Sequence, residues 1–136
     1  MGGIRTRVPL LAIQKALVKR LRDGQTTPVF DDVANEARLP YISIGAINVK
    51  PDGSKDTAIY DVSIQLHLWS NYRGKKEING MMDDVANVLS YAMLDTTEDN
   101  FKIINQEIDF FEAFAEDTLG YHGVITVVIK IQDMEV

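Results

Sequence analysis

Cysteine is absent from the 136-residue chain. Without thiols the chain forms no disulfide and carries out no thiol chemistry, which fits a protein that folds in a reducing cytoplasm. Long apolar runs are missing as well, since no stretch approaches the roughly 20 residues that a bilayer span needs. The apolar positions between Val8 and Leu21 are interrupted by Gln14, Lys15 and Lys19. We therefore predict neither a transmembrane helix nor an export signal.

Residues suited to catalysis are scarce. His67 and His122 fall in predicted strands, and neither has the spacing of a metal ligand with a second His, Cys or carboxylate pair. The adjacent aspartates at 31–32 and 83–84 do not face each other if they lie on helices. A phosphate-binding glycine loop and a nucleophile elbow are also missing. We predict that the protein is not an enzyme and uses no cofactor or metal.

The net charge of −6 is unevenly distributed along the chain. Residues 1–22 hold six basic residues and no acidic one, so the remaining 114 residues sum to −6 − 6 = −12. The basic residues are Arg5, Arg7, Lys15, Lys19, Arg20 and Arg22. They form either the solvated face of a helix or a surface that meets an acidic partner. Tight nucleic-acid binding is disfavoured, because the chain is acidic and lacks a basic groove with interleaved aromatics.

Two amphipathic helices are predicted from periods of three and four residues. The first has Leu10, Ile13, Leu17 and Leu21 on one stripe, with Pro9 at its start and Gly24 at its end. The apolar stripe of the second comprises Ile78, Met81, Met82, Val85, Val88, Leu89, Ala92 and Met93. In this second helix Gly80 would allow a neighbouring backbone to approach closely.

Alternating apolar and polar residues predict strands at 41–48, 59–69, 101–114 and 121–132. In the third of these, Ile104, Ile108, Phe110 and Phe114 are predicted to share one face. The last is partly apolar on both faces, which indicates a central position. We predict one α+β domain over residues 1–136: an antiparallel sheet of about four strands with two helices packed on one face. Residues 1–7 are expected to be flexible.

Two groups of residues are candidates for contacts with a partner. The polar turn at 50–56 is long for a tight hairpin and is expected to project, with Lys50, Asp52, Lys55 and Asp56 as its charged residues. The aromatic residues Tyr41, Trp69 and Tyr72 lie near predicted strand ends. They are either core or edge residues or, at a subunit interface, anchors of the kind that dominate binding energy.

Three segments, taken in order, resemble the tail-completion family of long-tailed phages and prophages. The first is Phe30-Asp31-Asp32-Val33 followed by Leu39-Pro40-Tyr41-Ile42-Ser43-Ile44-Gly45. The second is Leu66-His67-Leu68-Trp69-Ser70 with Gly74 four residues later, and the third is His122-Gly123 at the start of the last strand. The resemblance covers residues 8–133. It departs at Ala34, where many relatives have proline.

The resemblance implies a structural virion protein. Such proteins form a ring, commonly of six subunits, that caps the tail tube, stops its polymerisation and presents a docking surface to the head connector. The implied partners are other copies of the chain, the tail-tube protein and the connector or stopper protein, with DNA only as passing cargo and no membrane. The implied location is the tail end at the head–tail interface, with assembly in the host cytoplasm.

The candidate interface residues are therefore Lys15, Lys19, Arg20, Tyr41, Lys50, Asp52, Lys55, Asp56, Trp69 and Tyr72. Three alternatives stay open. The protein could be another ring-forming neck component such as a head-completion stopper, or a tail-tube subunit that also assembles into rings. It could instead be a small ligand-binding α+β domain, although no pocket is marked in the sequence. A hydrolase or metal enzyme would need the missing catalytic groups.

Overall fold

The computed structural model describes residues 6–31, 38–53, 57–71, 74–116 and 120–135. These residues form two α-helices and five β-strands, with a short 3-10 turn at Thr97–Asp99. In chain order the elements are α1 (Leu10–Gly24), β1 (Val29–Phe30), β2 (Tyr41–Pro51), β3 (Ile59–Ser70), α2 (Lys76–Tyr91), β4 (Phe101–Ala115) and β5 (Tyr121–Asp133). Within these ranges, neither helix is long and apolar enough to cross a membrane.

The five strands make one sheet in the order β1-β2-β3-β5-β4. The predicted α+β class is confirmed, but the sheet is mixed and has one strand more than expected. The extra strand is β1, which pairs in parallel with β2 through Val29 and Phe30. Two residues are too few for alternation to indicate a strand, so only the pairing reveals it. The predicted central position of β5 is confirmed, because β5 lies between β3 and β4.

Both helices pack on one face of the sheet and enclose the core there. From α1 the core takes Ala12, Ile13, Leu17 and Leu21, and from α2 it takes Ile78, Met81, Val85 and Leu89. The facing side of β3 contributes alternate residues from Tyr60 to Leu68, and β5 those from Ile125 to Ile131. The predicted stripe of α2 is too long, because the helix ends at Tyr91 and leaves Met93 52% exposed.

The prediction that four apolar residues of β4 share one face is wrong. The pairing of β4 with β5 shifts between Ile103 and Asn105 and again between Ile108 and Phe110. Each extra residue reverses the faces of the residues that follow it. Ile108 therefore packs toward the core, whereas Phe110 and Phe114 lie on the sheet face opposite the helices.

Polar contacts fix the ends of the helical layer. Arg7 forms ion pairs with Asp133 and Glu135 and stacks on the Phe101 ring, so this residue of the 1–7 segment is held against the sheet. Residues 1–5 lie outside the described ranges.

The close approach of a neighbouring backbone to Gly80 in α2 is not observed. A Cβ at this position would meet no described atom within 4 Å.

Candidate assembly surfaces

The face of the sheet opposite the helices, here called the outer face, carries an aromatic cluster at one end. Tyr41 and Trp69, paired in register on β2 and β3, have ring centroids 6.4 Å apart. The Trp69 ring stacks on His122 at 3.8 Å, and its indole N–H donates to the Ser43 hydroxyl at 3.2 Å. The predicted grouping of Tyr41 with Trp69 is thus present. Tyr72 lies outside the described residues.

Two histidines from neighbouring strands meet within this cluster. His67 Nδ1 lies 2.8 Å from His122 Nε2, and His122 Nδ1 lies 2.8 Å from Glu116 Oε1. Because the carboxylate accepts, His122 Nδ1 donates to Glu116, and His67 Nδ1 and His122 Nε2 share a single hydrogen between the two rings. Burial and the neighbouring His122 lower the pKa of His67. The described residues contain no cluster of three or more groups that could hold a metal ion.

The other end of the outer face is charged. Lys130 on β5 forms ion pairs with Asp52 and with Asp61. These contacts lower the pKa of Asp52 and raise the pKa of Lys130. Asp52, a candidate contact of the 50–56 turn, is therefore held to its own sheet, while Lys50 is exposed. Lys55 and Asp56 lie outside the described residues.

Two of the three candidate interface residues of α1, Lys15 and Arg20, have partners within the chain. Lys15 Nζ lies 3.0 Å from Asp99, and this hydrogen-bonded contact raises the pKa of Lys15. Arg20 lies over the Tyr91 ring, 5.7 Å from its centroid. Lys19 makes no hydrogen bond or ion pair with the residues that the structure describes. The role of all three at an interface stays a prediction, and Lys19 is the most available of them.

A groove of about 640 Å³ separates α1 from the end of α2. It is lined by Lys19 and Arg20 on one side and by the exposed Tyr91 and Met93 on the other. Aromatic, Met and Arg side chains are enriched in protein interfaces. The composition of this groove therefore matches that of a protein–protein contact surface.

One exposed surface was missed by reasoning from the sequence. The second half of β4 is a sheet edge that exposes Phe110 (49%), Phe111 (65%) and Phe114 (37%). These residues alternate in part with the exposed acids Asp109 and Glu112. The edge was missed because the sequence pattern assigned the apolar residues of β4 to one face. The signal that could have indicated it is the pair Phe110-Phe111 between Asp109 and Glu112. Long exposed edges with apolar residues invite pairing with another chain.

The chain matches a known protein family. A family model described as "Tail completion protein gp17" matches residues 12–132, which is most of the chain. The chain belongs to this family. A comparison with curated proteins found no match.

Two solved structures share the fold of this tail-completion protein. One is a chain of the virion of a native gene transfer agent particle, with a TM-score of 0.74 and 16% identity, covering 93% of this chain and 98% of that one. The other is the gp17 protein of bacteriophage SPP1, with a TM-score of 0.60 and 20% identity, covering 94% and 95%.

Family membership confirms that the protein is a structural component of phage tails and not an enzyme. It also supports a location in the virion and interaction with other tail or head proteins. The resemblance noted in the sequence is confirmed on these grounds.

Proposed function

We propose that this protein caps the phage tail tube as a ring, ends tube polymerisation and provides the surface on which the head connector docks. The observation that carries the proposal is the side of β4 away from β5, with which no described strand pairs, beside an outer face that no described helix covers, in a member of a tail-completion family. A sheet covered by helices on one side only, with an exposed apolar edge, is suited to join other subunits.

The charge of the chain supports a role around DNA without binding to it. Six copies would carry 6 × −6 = −36. An acidic ring repels the phosphate backbone, so DNA would pass through its lumen without adhering. The exposed Lys50 at the end of β2 and the groove beside Lys19 and Arg20 then remain as contacts for tube or connector.

The proposal is tested by light scattering after gel filtration, with purified tail-tube protein absent and then present. A ring of several subunits alone, or a subunit that shortens growing tubes, is the expected result. Self-polymerisation into long tubes would instead indicate a tube subunit. A monomer that ignores tube ends but binds head-connector protein would indicate a connector-side stopper and would contradict the cap.

The contribution of the basic helix is tested with the variant Lys15→Glu/Lys19→Glu/Arg20→Glu. We expect it to lose ring formation or tail docking, because three cations become acids on an already acidic chain. Lys15 also pairs with Asp99 in its own chain, so the single change Lys19→Glu is the cleaner companion. Assembly like that of the wild type in both variants would exclude this helix from the interfaces.

A further inference from the structure

We propose that neighbouring copies join head to tail, the second half of β4 of one copy lying against the outer side of α1 of the next. This inference rests on the proposed ring. The acidic edge is defined here as Glu107, Asp109, Phe110, Phe111, Glu112 and Phe114 of β4. The basic side is defined as Leu11, Gln14, Lys15, Val18, Lys19 and Arg22 of α1.

The acidic edge has an apolar centre and a rim of one sign. Phe111 is its most exposed aromatic side chain, at 65%, and its ring is on the helical side of the strand. Asp109 and Glu112 stand on either side of Phe111 along the strand, Glu112 being on the outer face with Phe110 and Phe114, and no ion pair joins either acid to a described residue. A buried Phe ring contributes a large apolar area at an interface, whereas in the single chain this ring stays in water.

The basic side has the complementary arrangement. Leu11 is 73% exposed, which makes it the most exposed leucine of the helix, and Val18 lies two turns further along the same face. A groove of about 410 Å³ runs between them, bordered by Lys15, Lys19 and Arg22. Two acids, at positions 23 and 31, border the same groove, and Lys15 is already paired with Asp99, so Lys19 and Arg22 are the cations left to face an acidic partner.

Charge selects which surface the acidic edge meets. Pairing of two β4 edges around a twofold axis would bring Glu107, Asp109 and Glu112 of two copies together, and like charges opposite each other destabilise a sheet. A partner surface with an apolar centre and a basic rim would attract the acidic residues of the edge. It would also remove the exposed phenylalanines from water, as edge-to-edge pairing would. The basic side of α1 meets this description.

The two surfaces lie on different sides of one molecule. The β4 strand is one edge of the sheet, whereas α1 is tied to the other edge through Arg22, which donates to the Val29 carbonyl at 2.9 Å, and through Gln14, which donates to Asp31. A patch that meets a different patch gives a heterologous contact, and repeated heterologous contacts close into a ring when the rotation permits. A head-to-tail contact is therefore the kind that a tail cap needs.

The absence of cysteine permits a direct test by cross-linking. Leu11→Cys and Phe111→Cys are prepared separately, with tags of different size, and treated with a short bifunctional thiol reagent. We expect no dimer from either variant alone, a mixed dimer from the mixture, and a ladder of oligomers from the double variant. Both positions are exposed, so the fold should tolerate the changes.

Other outcomes have defined meanings. Dimers from Phe111→Cys alone would show edge-to-edge pairing and overturn the proposal. A wild-type ring seen by light scattering, without mixed cross-links, would overturn this interface and leave the proposed cap standing. A wild type that stays monomeric with and without tubes would overturn both.

A second measurement uses Leu11→Asp, which opposes the acidic edge, and Phe111→Arg, which opposes the basic side. Each should weaken self-association by roughly tenfold or more, as expected for an interface anchor. A mixture of the two should stop at a dimer, because each variant keeps one intact surface. Met134→Arg, at a residue 51% exposed and outside both surfaces, should assemble like the wild type. Equal weakening in this control would contradict the assignment.

Discussion

At the residue scale, the two histidines of the outer face impose a condition on protonation. His67 Nδ1 and His122 Nε2 lie 2.8 Å apart and share one hydrogen, so the pair cannot hold a proton on all four ring nitrogens without losing that bond. The His67 ring also lies over Gly45, where a built Cβ would be 2.6 Å from Nε2. The glycine therefore makes room for the ring.

The direction of the His67 pKa shift gives a prediction about stability. Its folded pKa lies below the ordinary value of 6.5, so the unfolded chain binds the proton more readily. The stabilisation by neutral His67 is complete above that value and is lost as the pH falls through it toward the folded pKa. Urea unfolding between about pH 7.5 and 5.5 should therefore show a larger loss for the wild type than for His67→Gln.

The comparison between variants matters, because carboxylates also titrate on acidification. Glu116 faces the pair through His122, and Glu112 lies near on β4. Both are kept in His67→Gln, so their contribution cancels. Equal pH slopes for the two proteins would show that His67 does not govern this loss.

At the scale of elements, Gln106 of β4 completes the end of α2. Its side-chain amide donates to the carbonyls of Leu89 (2.8 Å) and Ala92 (3.2 Å), and its Oε1 accepts from the Leu94 amide at 2.8 Å. The helix has no basic residue in its last turn and continues into extended backbone at Ala92. One glutamine therefore satisfies groups that a capping motif would otherwise serve.

Replacing Gln106 with leucine should destabilise the fold by about 1–3 kcal/mol, because partly buried backbone groups lose their partners. Gln106→Glu keeps the acceptor for Leu94 but sets a carboxylate oxygen against the Leu89 and Ala92 carbonyls at the C-terminus of the helix, so it should also be destabilised relative to the wild type. Asn105→Leu, on the neighbouring exposed residue, is the control and should change little. The free energy of unfolding in urea is the measurement, and a neutral Gln106→Leu would contradict the capping role.

The sequence allowed prediction where a period continued without interruption. The buried stripe of α1 is confirmed at Ile13, Leu17 and Leu21 but is wrong at Leu10, which is 39% exposed in the first turn of the helix. The alternation of β3 from Val62 to Leu68 is confirmed over its whole length. The faces of β4 could not be predicted, because bulges reverse the alternation and leave no mark in composition. The pairing of β1 with β2 joins residues 13 positions apart, and the end of α2 depends on the distant Gln106, so a local pattern reports neither.

The candidate contacts show the same division. The proximity of Tyr41 and Trp69 followed from their places at strand ends, and it is present. The pairing of Lys15 with Asp99 joins residues 84 positions apart and could not be seen in the sequence. The basic N-terminal segment is thus less available than its composition indicated, and the exposed β4 edge is more so.

At the scale of the whole molecule, the core and the accessible sheet surfaces lie on different sides of the sheet. The two helices and one sheet face hold the core, which leaves the outer face and the β4 edge for partners. Because these surfaces are built on strands and not on loops, their positions are fixed before assembly. A preformed surface loses less conformational entropy on binding, which would favour the proposed assembly into a ring.

The whole-molecule charge yields the last prediction. A ring of six copies, at 6 × −6 = −36, should not retain double-stranded DNA in a gel-shift assay even at about 50 mM salt, where phosphate contacts are strongest. The variant Asp83→Lys/Asp84→Lys raises the charge of each chain to −6 + 4 = −2 and places both new lysines about two turns beyond Lys76, with position 83 on the same face of α2. That variant should retard DNA at low salt and release it as salt rises, which shows that the assay detects a basic cluster. Salt-sensitive retention of DNA by the wild type would mean that local basic surface outweighs the net charge, and DNA would then be a ligand of the ring and not cargo.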